Sequence, residues 1–286
     1  MIIIRKVAGL HEYVEQQKAK GDKIGFVPTM GALHEGHLSL VERAVKESPC
    51  VIASVFVNPT QFNNPNDLAT YPRKEEDDFR MLRDAGVSAV FAPSVEEIYP
   101  GGPEAQPHKE FALGPVAEVM EGKYRPGHFQ GVAQVVSLLF SHCKPDKAYF
   151  GEKDFQQIAV IRNMVEHEGF EVEIVACPIK RAPDGLALSS RNMLLTPDQR
   201  AVAPEIYKAL AYSVDYSKEH SVRATHDTVV ERIDAQPFMR VEYFEIVDGR
   251  TLLPVEDWED SEWIVGCITV YCGDVRLIDN IVYRKS

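Results

Sequence analysis

The sequence predicts an α/β fold: a doubly wound parallel sheet over residues 1–182, followed by a smaller α+β domain over residues 183–286. Two patterns predict it. In the first part, short β-branched runs, apolar at nearly every position, alternate with helical stretches, as in strands covered on both faces by crossover helices. In the second, a helical region gives way to long strand-like runs around a Gly273-Asp274 turn signal, as in an antiparallel sheet.

The strands of the first domain are expected at 24–28, 51–57, 89–92, 147–150 and 172–176, all strand-length apolar runs such as CVIASVFV at 50–57. Between them, helical spacing predicts helices at 37–47, about 75–85, 130–143 and 155–167, with Gly86 and Gly169 where a C-terminal cap glycine belongs. Right-handed crossovers then give an open sheet whose ligands gather at the carboxyl ends of its strands. Pro183-Asp184-Gly185 reads as a hinge or turn. Beyond it, Thr196-Pro197-Asp198-Gln199 has the form of a capping box with proline at the first helical position. Helices are expected from there to about residue 235, with Pro204 interrupting the first. The final strands fall in RVEYFEIVDG and EWIVGCITVYCGDVRLIDNIVY.

Composition narrows the partners. With 43 acidic against 31 basic side chains the formal charge is -12, which argues against a nucleic-acid surface but not against a small anionic substrate. No apolar run is long enough to span a bilayer, and MIIIRKVAG has the wrong charge order for a signal peptide. The five cysteines are odd in number, form no C-x-x-C pair and sit mostly in apolar company, so a reduced, cytoplasmic protein is expected.

The chemistry concentrates at strand ends. In VPTMGALHEGHLSLVERA, His34 and His37 fall where the first strand hands over to a helix whose apolar stripe includes Leu38, Val41 and Val45. At i, i+3 spacing the two rings can point the same way. Helix-start amides attract an anion there, Gly31 and Gly36 allow close backbone approach, and imidazole donors would stabilise charge growing on a phosphate. Zinc binding and simple helix capping are the competing readings, although HEGH is not the H-E-x-x-H of a zinc hydrolase. Asn58 and Gln61 in VFVNPTQF offer neutral amides for hydroxyls and a carboxylate, or else only shape a turn. YFGEKDFQQ repeats the strand–loop–helix grammar with Lys153, Asp154 and Gln157. LALSSRN sets two hydroxyls and Arg191 in a connector suited to clamp phosphate. Asp77 and Asp78 in KEEDDFRML suit Mg²⁺ beside a nucleotide, or form a solvated face. Arg125 and His128 precede a helix, with an anion contact and a loop role equally open.

Taken together and in this order, PTMGALHEGHLSLV, VFVNPTQF, YFGEKDFQQ, DGLALSSRN and VRLIDNI resemble the pantoate–β-alanine ligase family, within the Rossmann-like nucleotidylyltransferase superfamily that carries an H-x-G-H motif. The resemblance runs from residue 28 to residue 281. It implies ATP-dependent adenylation of pantoate, attack of β-alanine on the adenylate, and release of AMP and pyrophosphate. It implies that Met30, Gly36, Lys180 and Leu188 line the adenosine site, that Gly151 and Asp154 meet the ribose, and that Gly31, Ala32, Leu33, Glu35 and Glu152 complete the ATP surround. His34, His37, Lys153, Ser189, Ser190 and Arg191 would hold the phosphates. Gln61 and Gln157 would bind pantoate, with Pro28 and Met30 against its methyls and Asn58 and Tyr71 on the second-substrate side. Asp77 and Asp78 would lie near Mg²⁺ through water. The resemblance further implies a homodimer joined through the N-terminal domains; because an acyl adenylate hydrolyses readily, the C-terminal domain, hinged near Pro183, is expected to close over it as a lid. Two positions depart from the pattern: Leu188 stands where the family commonly has methionine, and EDWEDSEWIVGCITVY is bulkier and more aromatic.

Overall fold

The computed structural model describes residues 1–62, 65–106 and 109–285, with the side chains of 65–67 left aside. The first domain runs β1 (Ile2–Ile4), α1 (Val7–Ala19), β2 (Ile24–Thr29), α2 (Glu35–Glu47), β3 (Cys50–Val55), α3 (Pro65–Thr70), α4 (Glu75–Asp84) and β4 (Ala89–Phe91). It continues through α5 (Val95–Ile98), α6 (Glu121–Tyr124), α7 (His128–Cys143), β5 (Lys147–Gly151), α8 (Phe155–Glu168) and β6 (Glu173–Cys177). The second part holds α9 (Pro197–Val202), α10 (Glu205–Tyr216), α11 (Val222–Asp234), β7 (Met239–Asp248), β8 (Trp263–Cys272) and β9 (Val275–Lys285).

Six parallel strands form one sheet in the order β1-β4-β3-β2-β5-β6. Chain order reverses between β2 and β5, and that switch point opens a crevice at their carboxyl ends. Because successive strand residues face opposite sides, Ile24 and Phe26 join one apolar layer with Leu10, Phe140 and Ile161 of α1, α7 and α8. Val27 faces the other way, toward Val41 and Ala44 of α2 and Leu82 of α4. Each expected strand and helix of this domain is present, with boundaries shifted by a residue or two. The pair β1 and α1 is additional. Its strand has three residues, and its helix buries only Leu10 and Val14, so neither leaves a strong periodic signal.

The C-terminal part follows the expected pattern. Thr196 and Gln199 form the capping box, α9 ends at Val202, and α10 resumes after Pro204. β7-β8-β9 is an antiparallel sheet turning at Gly273-Asp274. One side of it packs on α10 and α11 through Phe244, Ile268, Leu210 and Val229. The other side places Tyr243, Val247, Val265 and Cys267 in the apolar layer of the first domain. A buried ion cluster fastens the same seam: Arg276 of β9 donates to both carboxylate oxygens of Glu121 at 2.6 and 2.8 Å and to Glu242 at 2.6 and 2.8 Å.

Candidate active site

The site begins with how α2 starts. His34 is its N-cap, and its Nδ1 accepts from the Gly36 N–H at 3.1 Å, while His37 Nδ1 accepts from the His34 N–H at 3.3 Å. A nitrogen that accepts from a backbone amide carries no proton, so both neutral rings bear theirs on Nε2. The rings lie 4.1 Å apart, and both line the cleft. Burial, reinforced by Lys153, pushes His34 down to about 4. Burial, with His34 and Lys153 adding to it, pushes His37 down to about 3. At neutral pH the pair therefore offers two uncharged N–H donors. A β-carbon on Gly36 would stand 2.7 Å from the His34 ring, so glycine is what lets that ring cap the helix.

Helix capping, one of the readings that the sequence left open, is present here, and both rings still line the cleft. Two of the helix-start amides expected to attract an anion, those of Gly36 and His37, already have partners. Gly31 N–H donates to Thr29 Oγ1, Gly36 N–H to the His34 ring, and His37 N–H to the His34 carbonyl. Asp78, 2% exposed, accepts from Ala32 N–H at 2.9 Å and Leu33 N–H at 2.8 Å. The donors that face the cleft are instead the side chains. Asp78 thus braces the loop, while exposed Asp77 pairs with Arg80 at 2.6 Å. The two adjacent carboxylates do not converge, and among the described residues no group of three or more His, Cys, Asp or Glu side chains is set to hold a metal ion.

Two adjoining cavities share the switch-point crevice. One, of about 760 Å³, takes in Met30, His34, Gly36, His37, Gly151, Lys153, Asp154, Lys180 and Leu188, with the Ser189–Arg191 loop across from the histidines. The other, of about 850 Å³, holds Pro28, Met30, Asn58, Gln61, Tyr71 and Gln157. Tyr71 lines both cavities. Lys180 and Leu188 come side by side because a hairpin closes between them, with Leu188 N–H donating to the Lys180 carbonyl at 3.0 Å and Gly185 at φ 96° in the turn. Lys153 lies 3.2 Å from Asp154, and Asn280 of β9 fixes that loop by donating to the Glu152 and Lys153 carbonyls at 2.7 and 3.2 Å. Arg181, in the hairpin between Lys180 and Leu188, pairs with Asp279 of β9 at 2.6 and 2.9 Å. Of the predicted ATP residues, Gly31, Ala32, Leu33, Glu35 and Glu152 line neither cavity.

Asn58 is 1% exposed, and its amide is occupied: it donates to Gln61 Oε1 at 3.1 Å and to the Gly131 carbonyl at 3.2 Å, and accepts from the Tyr99 hydroxyl at 2.9 Å. It orients Gln61. Sequence reasoning missed the apolar wall of the second cavity, which α7 supplies through Val132, Val135, Val136 and Leu139. Its signal was present, since α7 is apolar on nearly all sides and so had to face more than one buried surface.

A parallel sheet with a nucleotide-sized crevice at its switch point, faced by an H-x-G-H helix start and a Ser-Ser-Arg loop, defines a nucleotide-handling α/β enzyme. The chain belongs to the pantoate–β-alanine ligase family, whose model, described as pantoate-beta-alanine ligase, matches residues 2–282. It is 58% identical over 284 residues to the pantothenate synthetase of Porphyromonas gingivalis, covering 99% of this chain and 100% of that one. Against the pantothenate synthetase of Bacteroides thetaiotaomicron it is 54% identical over the whole of both chains. The crystal structure of pantothenate synthetase from Thermus thermophilus superposes with a TM-score of 0.92 at 45% identity, covering 99% of this chain and 100% of that one. The Francisella tularensis pantoate-beta-alanine ligase, complexed with beta-gamma ATP and beta-alanine, gives 0.81 at 37% identity, covering 99% and 98%.

Proposed function

We propose that the chain condenses pantoate with β-alanine, driven by ATP, through a pantoyl adenylate, releasing AMP and pyrophosphate. The observation that carries this reading is the pair of neutral Nε2–H donors beside an apolar pocket ending in two amides, Gln61 and Gln157. Pantoate's carboxylate is already a nucleophile, so no side chain need form a covalent bond. The protein's work is to align it with the α-phosphorus and to stabilise charge spreading over the phosphate. His34, His37, Lys153, Ser189, Ser190 and Arg191 surround the phosphates in this reading, and the low basicity of His37 makes it a hydrogen-bond donor rather than a reservoir of protons. Gln61 and Gln157 take the hydroxyls and carboxylate of pantoate, with Pro28 and Met30 against its methyls. Lys180 and Leu188 flank the adenine, and Gly151 and Asp154 meet the ribose.

Magnesium belongs with the nucleotide in this reading. Asp78 accepts two backbone amides and Asp77 pairs with Arg80, so among the described residues these carboxylates form no preformed cage. Residues 1–182 and 183–286 act as two domains, the second roofing the crevice through the Ser189–Arg191 connector. Its apolar seam and the Glu121–Arg276 cluster oppose a free swing of the whole domain. The family resemblance carries one further proposal, a homodimer joined through the N-terminal domains, and cysteine usage carries another, a cytoplasmic location. Five free, buried cysteines fit a reducing compartment.

Pantoate-dependent exchange of labelled pyrophosphate into ATP, with Mg²⁺ present and β-alanine omitted, tests the reading. Exchange is expected, and adding β-alanine then yields AMP and pantothenate. Folded, ATP-binding protein that gives no exchange would overturn it.

A further inference from the structure

The Arg125–His128 turn between α6 and α7 lines neither of those two cavities but a third, which adjoins them at Lys153, Asp154, Gln157 and Arg191, and it touches the residue assigned to pantoate. His128 is 7% exposed, with Nδ1 2.9 Å from the Gln61 carbonyl oxygen and Nε2 3.1 Å from Arg125 Nη1. A guanidinium can only donate, so Nε2 must accept, and the ring proton of neutral His128 sits on Nδ1, donating to Gln61. Burial, with Arg125 adding to it, pushes His128 down to about 4, which agrees with the neutral ring that this geometry demands. Arg125 Nη2 also approaches the Gln61 carbonyl at 3.5 Å, and its Nη1 is 3.4 Å from Glu121. Glu121 is itself immobilised, accepting from Arg276 twice, from the Tyr243 hydroxyl at 2.8 Å and from Thr269 Oγ1 at 3.1 Å. On the other side, Asn58 holds Gln61 Oε1, which turns Gln61 Nε2 toward Met30 Sδ at 3.2 Å, inside the pantoate cavity.

We propose that Arg125 and His128 are positioning residues for the hydroxy-acid substrate: a hydrogen-bond chain of fixed direction, from Arg125 through His128 to the Gln61 carbonyl, holds the Gln61 backbone so that its amide N–H, oriented by Asn58, meets an acceptor oxygen of pantoate. The inference rests on the pantoate reading of that cavity. It gives the otherwise unassigned turn a function, and it makes the Glu121–Arg276 seam the anchor of the pantoate side.

The test measures KM for pantoate and for ATP in pyrophosphate exchange for the unmodified protein, His128→Leu and His128→Asn, together with the ¹⁵N signals of labelled histidine. His128→Leu should raise pantoate KM about 10-fold, the size of one lost hydrogen bond, and leave ATP KM unmoved. Asparagine, whose Nδ2 can stand where Nδ1–H stood, should restore most of that loss. Near pH 7 the His128 signals should show a protonated Nδ1 and a bare Nε2. A pantoate KM unchanged in His128→Leu, a parallel rise in ATP KM, or a proton on Nε2 would each overturn the positioning role. If the leucine variant does not fold, the asparagine variant and the tautomer signal still decide. No exchange by the unmodified protein overturns the reaction and this role with it, whereas exchange with an unchanged pantoate KM overturns the role alone.

Discussion

His37 and His34 commit one ring nitrogen each to the start of their own helix, and that commitment fixes what the other nitrogen can do. Replacing either with alanine should lower pantoate-dependent exchange by at least about 10²-fold, as loss of a preorganised donor does, with little change in pantoate binding. A variant that keeps full exchange would remove that histidine from the phosphate site. The same burial has a cost in acid. His34, His37 and His128 have folded values of about 4, 3 and 4, all below the unfolded value of 6.5. Below 6.5 the unfolded chain binds protons that the folded one refuses, so stability falls as pH drops from there toward the folded values. The slope is at most about 1.4 kcal/mol per pH unit for each ring. Glu121, held at about 2 against Arg276, adds a loss of the same sign in a lower window, below 4.5. Urea midpoints measured from pH 7 to pH 5 should therefore decline while exchange shows no histidine limb near 6.5. A flat midpoint would mean that the rings titrate normally.

At the level of elements, the loop between β2 and α2 is held from outside. Asp78 on α4 takes the Ala32 and Leu33 amides, and a β-carbon on Gly31 would lie 2.8 Å from its Oδ2. Asp78→Asn turns one acceptor into a donor that faces a buried N–H, a cost of about 1–3 kcal/mol. It should weaken exchange and lower the Tm, while the Mg²⁺ concentration for half-maximal rate stays where it was. A shifted Mg²⁺ requirement would instead make Asp78 a ligand. This brace was not legible in KEEDDFRML, where four adjacent acids read equally as a solvated face or a cation site, because the deciding partner lies 45 residues away along the chain. The H-x-G-H turn was legible because its parts are local: a strand end, a glycine and i, i+3 spacing all act within one helical turn.

Across the whole molecule, the Glu121–Arg276–Glu242 cluster joins α6 to the C-terminal sheet. Arg276→Met would leave the half-buried Glu242 without this cation and buried Glu121 with only the longer Arg125 contact, and breaking such a cluster costs about 3 kcal/mol or more. The Tm should fall by several degrees, and hydrogen exchange along β7 to β9 should rise with it. Unchanged protection would show that the apolar seam alone holds the domains. That seam also bears on closure, since Tyr243, Val247 and Val265 would be exposed by any wide swing about 183–185.

The sequence by itself determined the alternation of strands and helices, the change of architecture near residue 183, the strand-end placement of His34, His37, Gln61 and Lys153, and the connector that carries Ser189. All of these follow from periodicity, caps and spacing, which are short-range and written in consecutive residues. Only the tertiary structure decided which polar atoms were left over. Asn58 and Asp78 look like ligands along the chain and are hydrogen-bonded into the framework around the site, while Arg125 and His128 acquire a partner in Gln61 that no local pattern announces. The physical reason is that a buried polar group must find its hydrogen-bond partner wherever folding brings one, and that pairing is set by distance in space, not by distance in sequence.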